Sequence, residues 1–147
     1  MLTERLPFLL RCASIIIFSC TWSLGDSPAA PHFHSGLAYE RLGRLDEAYT
    51  ELQLAVNLDP EDAQASLALG VVAMRLGHYD EALRAIEHSV ALDANSCASY
   101  YELGFLYEKK GLSERALESW QRFLGLSRDD VLKSLARRHM AYLQDPA

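Results

Sequence analysis

From residue 29 onward the chain alternates between apolar-periodic runs of about a dozen residues and short breaks that hold glycine, proline or aspartate. Within each run the apolar side chains return at the spacing of one helix face, which predicts helices and no strands. The runs come in pairs. The middle pair, Ala63 to Ser96, reads AQASLALGVVAMRLGHYDEALRAIEHSVALDANS, and its first run closes on Arg75, Leu76 and Gly77 before a second begins near Tyr79. A cation in the last turn offsets the helix dipole, and a glycine just beyond it can turn left-handed without a Cβ clash. Each pair is therefore predicted to be a helix hairpin.

Shifted by 34 residues, the hairpin falls on itself twice, with no insertion. Gly36, Gly70 and Gly104 align, as do Gly43, Gly77 and Gly111, then Ala48, Ala82 and Ala116, and finally Leu58, Leu92 and Leu126. The recurrent alanine follows the strings LDE, YDE and SER, at a point where two helices approach closely only if nothing larger than a methyl group intervenes.

These residues resemble the tetratricopeptide repeat family, whose unit is a 34-residue helix-turn-helix. Unit one (29–62) carries the resemblance in Gly36, Tyr39, Ala48, Leu52, Ala55 and Pro60. Unit two (63–96) carries it in Leu69, Gly70, Tyr79, Ala82 and Ile86, and unit three (97–130) in Leu103, Gly104, Tyr107, Ala116 and Trp120. The chain departs from the pattern at Ser35, Ala73, Ser89, Phe123, Ala94 and Arg128. The resemblance implies an all-α, right-handed α-solenoid, and a non-enzymatic adaptor that binds a protein or peptide.

The flanks differ from the units. Residues 1–25, MLTERLPFLLRCASIIIFSCTWSLG, place Arg5 and Arg11 before an uncharged stretch, and Ser23 and Gly25 have the spacing of a signal-peptidase site ahead of Asp26. An export signal is expected, with location outside the cytoplasm or at the envelope. A variant makes Cys20 a lipidated first residue, and the protein an envelope lipoprotein that helps assemble a membrane complex such as a pilus or secretion system. Residues 26–30 form a short linker, in which Ser27 before Pro28 is a candidate helix cap. Asp59-Pro60-Glu61 is expected to cap the next helix, and Ser127-Arg128-Asp129-Asp130 reads as a capping box. In the last segment, residues 131–147, Leu132, Leu135, Ala136, His139 and Leu143 share one face while Lys133, Arg137 and Arg138 lie off it. That pattern fits a capping helix over the open end of the stack.

The net charge of -6 and the lack of a basic face argue against a nucleic-acid partner. Chemistry-bearing residues are sparse. Cys12, Cys20 and Cys97 form no paired motif, and Cys97 is expected to be a small buried residue. His32 and His34 point to different sides of one helix, and His78, His88 and His139 are distant, so no metal or cofactor is expected. The paired acids Asp46-Glu47 and Asp80-Glu81 start second helices, where they complement exposed N–H groups.

In the family, the first helices of the units line a concave groove. The positions that would face it here are Phe33, Leu37, Glu40 and Arg41; Leu67, Val71, Met74 and Arg75; Tyr101, Phe105, Glu108 and Lys109. The upper rows are apolar or aromatic and the lower rows charged. Such a floor suits an extended apolar peptide or the apolar face of an amphipathic helix, with Arg41, Arg75 and Lys109 pairing charges at one rim. It lacks the Lys and Asn with which family members clamp an acidic chaperone tail.

Overall fold

The computed structural model describes residues 27–145. The expected leader, its cleavage point before Asp26 and the lipidation candidate Cys20 lie outside the described residues. Within them the chain forms seven helices: α1 (Ala29–Arg41), α2 (Leu45–Leu58), α3 (Ala63–Leu76), α4 (Tyr79–Leu92), α5 (Cys97–Lys109), α6 (Ser113–Leu126) and α7 (Asp130–Gln144). None of these helices is long and apolar enough to cross a membrane.

The hairpin turn is the same in all three units. Gly43, Gly77 and Gly111 have φ of 73°, 85° and 71°, a region that costs other residues a Cβ clash. The residue after each glycine then donates its N–H back to the first helix: Arg44 to Tyr39 O, His78 to Ala73 O and Leu112 to Tyr107 O, each at 2.9 Å. This six-residue closure satisfies carbonyls that the helix end leaves open. It also fixes the angle at which the second helix returns.

The joins between units differ in detail from the sequence expectation. α3 is capped by Asp62, not Asp59: Asp62 Oδ1 accepts from Gln64 N (2.8 Å) and Ala65 N (3.1 Å). Asp59 instead ends α2 and accepts from Glu61 N at 3.2 Å, so Pro60 and Glu61 sit in the turn before the helix. Likewise Asp129 caps α7 through Val131 N and Leu132 N, while Ser127 ends α6. A carboxylate one residue from the helix reaches two orphan amides, which Ser127 and Asp59 stand too far back to do. At the start of α1, Pro28 holds the cap position, and Ser27 Oγ accepts from Ala29 N at 3.3 Å.

Packing runs along the chain. α1 packs on α2, α3 on α4 and α5 on α6, and each pair stacks on the next, with α7 closing against α6. α1 also touches α3, and α3 touches α5, so the first helices form one continuous layer. Ala48, Ala82 and Ala116 are each 0% exposed, as the close approach requires. A smaller core forms around Ala48, Leu52 and Val72 at the first junction. The larger one joins Ala82, Ile86, Leu103, Leu106, Trp120 and Phe123 and reaches Ala136 of α7. Cys97 is half-buried rather than buried, packed at the edge of that larger core.

Candidate functional site: the layer of first helices

The layer of α1, α3 and α5 carries the twelve positions read from the sequence, and the structure divides them. Phe33, Leu37 and Glu40 of α1 and Leu67 and Val71 of α3 line one open cleft of about 460 Å³. Its wall continues through Gln64, Ala68 and Asp93 to Ala98 at the start of α5. Met74 and Arg75 of α3 and Phe105, Glu108 and Lys109 of α5 line a second hollow with Tyr79. Tyr101 and Arg41 lie outside both.

The apolar lining of the first cleft is not uniformly available. Phe33 packs against the smaller core and Leu67 against the larger one. Leu37 and Val71 are half-buried and belong to neither core, so their exposed faces are the part of the floor that folding leaves uncovered. Ser89 closes the cleft from below. Its Oγ donates to Ala63 O at 2.8 Å and bonds Ser99 Oγ at 3.0 Å, and Ser99 Oγ meets Ser96 Oγ at 2.7 Å. Ser89, one of the departures from the repeat pattern, thus ties unit two to unit three.

The charged rows are largely spent within the chain. Arg75 pairs with Glu40 across α1 and α3. Lys109 reaches back to Tyr79, with Nζ 3.4 Å from the hydroxyl and 5.5 Å from the ring centre. Arg41 is exposed. Of the three expected rim cations, Arg75 is therefore already paired and Lys109 rests on a neighbouring ring.

Unit three is built differently from unit two, and sequence spacing did not reveal it. Phe105 stands edge-on to Trp120 at 4.9 Å and to His139 of α7 at 4.9 Å, while Tyr101 meets Phe105, Trp120 and Phe123 at 5.0, 5.7 and 5.4 Å. His139 stacks on Trp120 at 5.2 Å. Glu108 Oε1 accepts from Trp120 Nε1 at 2.6 Å, and its Oε2 lies 3.0 Å from His139 Nδ1. Tyr101, Phe105 and Glu108 therefore seat the last helix as well as facing the layer. Burial raises the Tyr101 hydroxyl, and the charge of Glu102 adds to it. On the opposite side of α5, Tyr107 is pushed up to about 12, first by burial and then by donating to Glu87 at 2.6 Å.

The histidines do not converge. His32 Nδ1 lies 2.7 Å from Glu51 Oε2, joining α1 to α2, and His34 is exposed beside Phe33. Among the described residues no three His, Cys, Asp or Glu side chains are placed to hold a metal ion.

Comparison with known proteins agrees with this architecture. Two models described as Tetratricopeptide repeat match residues 39–104 and 98–130. No curated protein matches the chain. Among solved structures, the first repeat domain of Spaghetti (RPAP3), bound to the HSP90 peptide SRMEEVD, is 21% identical, with a TM-score of 0.75 over 82% of this chain and 97% of that one. The Yersinia enterocolitica type III secretion chaperone SycD, in complex with a peptide of the translocator YopD, is 15% identical, with a TM-score of 0.75 over 83% of this chain and 96% of that one. PcrH from Pseudomonas aeruginosa is 20% identical, with a TM-score of 0.73 over 84% and 96%.

Proposed function

The chain belongs to the tetratricopeptide repeat family, and on that premise we propose that it is a non-enzymatic protein-interaction module. Its ligand is an apolar peptide segment, or the apolar face of an amphipathic helix, seated between α1 and α3. The observation that carries this reading is the cleft of about 460 Å³ whose floor is Phe33, Leu37, Leu67 and Val71. An open apolar floor of this size, with polar groups at its ends, takes side-chain anchors that folding has left unpartnered. The paired Arg75 and the absence of Lys or Asn on the floor make an acidic tail a poor fit. Of the similar solved structures, the one that holds a peptide of the translocator YopD lends support to peptide binding in general, while the one that holds the acidic HSP90 peptide SRMEEVD shows the same fold with a ligand this floor does not suit.

The experiment is a peptide-display selection on the full chain, with Val71→Asp and Leu37→Asp as counter-targets. Selected peptides should carry spaced apolar anchors and should lose at least about tenfold in affinity for either variant, the loss of one anchor contact of ~1.4 kcal/mol or more. Peptides that bind wild type and both variants equally would move the site elsewhere.

A further inference from the structure

The charged residues that line the cleft between α1 and α3 are Glu40 and Asp93, both acids, in a chain of net charge -6. They differ in what they are free to do. Glu40, in the last turn of α1, is spent on Arg75. Asp93, at the end of α4 where the cleft wall passes to α5, is exposed, and its Oδ1 accepts from Asn95 N at 3.0 Å. Among the described residues no cation lies within ion-pair distance of it.

A second carboxylate adjoins that end. Ala98, Glu102 and Leu106 follow one another at single helical turns, so they share one face of α5. Ala98 lines the cleft, and Leu106 packs with Ala82 and Ile86 of α4, which turns this face toward unit two. The same position in α3 is Ala68, which lines the cleft itself, and in α1 it is the exposed His34. Glu102 is half-buried there, with no ion-pair partner among the described residues. Burial alone acts on its carboxyl and raises it, and no cation opposes the effect. An alanine, as at Ala68, would fill the place without desolvating a charge.

We propose that the segment bound in the cleft is a basic one, with a lysine or arginine at the α5 end between Glu102 and Asp93 while its apolar side chains fill the floor. This rests on reading the cleft as a peptide site. A carboxylate that folding has partly desolvated and left unpaired gains most from a cation that arrives with the ligand. Packed helices stand about 10 Å apart, which about three residues of extended peptide span. The cation therefore lies about three residues from the anchor seated between Leu37 and Val71.

The probes are linear peptides selected from a random displayed library on the full chain. Recovered sequences should be enriched in Lys or Arg about three residues from an apolar anchor. One of them, synthesised as recovered and again with Gln in place of its Lys or Arg, is titrated against wild type, Glu102→Gln and Val71→Gln. Glu102→Gln should weaken the basic peptide about fivefold or more and leave the Gln peptide unchanged, since the charge pair is then already gone. On wild type alone, added salt should weaken the basic peptide more than the Gln peptide, a readout that no misfolded variant can imitate. Recovered peptides without a basic residue, or equal binding of the basic peptide by wild type and Glu102→Gln, would overturn the cation site; the cleft reading would survive if Val71→Gln still weakened binding. A selection that returns no peptide, or peptides that bind Val71→Gln as well as wild type, would overturn the cleft reading and the cation site with it.

Discussion

Gly104 lies so close beneath the indole of Trp120 that a Cβ added there would meet Cε2 at 2.5 Å. The same relation holds between Gly36 and Leu52 Cγ at 2.5 Å and between Gly70 and Ile86 Cγ1 at 2.4 Å. Inside a helix alanine is ordinarily better than glycine by ~1 kcal/mol, so the outcome of a substitution depends on whether the partner can move. An aliphatic side chain can change rotamer. The indole is rigid, fully buried and held by its N–H on Glu108. Gly104→Ala should therefore destabilise by about 1–3 kcal/mol through overpacking, more than Gly70→Ala or Gly36→Ala. Thermal unfolding of the three variants gives the order.

The repeat was legible because its constraints are local and recur: a glycine at the turn, an alanine at the close approach and a bulky residue opposite a glycine. Those fixed the hairpin pairing, and in the middle unit the end of α3 at Leu76 and the start of α4 at Tyr79. The candidate groove was legible only as a set of positions. What divides it is the pairing of Phe105 and Glu108 with His139, residues that no repeat spacing connects. The aromatic enrichment of unit three, with Tyr101, Phe105, Trp120 and Phe123, was the available signal that its face is used for packing. Asp62 and Asp129 as caps were missed because serine or aspartate occurs at several adjacent positions, and only geometry selects the one whose carboxylate reaches two amides.

Ala82 is 0% exposed between α3 and α4, with its carbonyl 3.2 Å from where a Cβ on Gly70 would stand. No long side chain fits there without separating the helices. Ala82→Arg should unfold the middle hairpin, seen as loss of helical circular dichroism at a temperature where wild type is folded. Retention of wild-type stability would contradict the close approach.

Val71 and Phe105 occupy the same position in successive units but not the same environment. Val71→Asp places a charge on an open cleft wall and should move the thermal midpoint by little, within about 1 kcal/mol. Phe105→Asp puts a carboxylate among Trp120, Tyr101 and His139 and should cost about 3 kcal/mol or more, as truncating a core aromatic does. Denaturant melts of the two proteins separate a ligand-facing residue from one that seats the last helix.

Glu108 holds α7 by accepting from Trp120 while facing His139. Glu108→Ala strands a buried indole N–H and removes the partner of His139, at a cost of about 1–3 kcal/mol. The loss should appear first in α7, as faster hydrogen exchange across residues 130–144 with α3 and α4 unchanged. Uniform acceleration along the whole chain would show instead that α7 and the repeats open as one unit.

Glu102 differs from the other acids of the layer in that burial alone acts on it, holding its carboxyl above the usual carboxylate range. A raised acid binds its proton more tightly in the folded state. Between the unfolded value of about 4.3 and the folded one, the native protein carries the extra proton, so stability falls as pH rises through that window and stays lower above it. Glu102→Gln keeps the shape and removes the charge. Its thermal midpoint should exceed that of wild type at pH 7, and the difference should shrink as the pH is lowered toward the unfolded carboxylate value, as the wild-type carboxyl takes up its proton. Melting curves of both proteins across that range check the sign: a difference that is constant with pH would mean the carboxylate reaches solvent, and one that grows toward acid would mean it has an ion-pair partner.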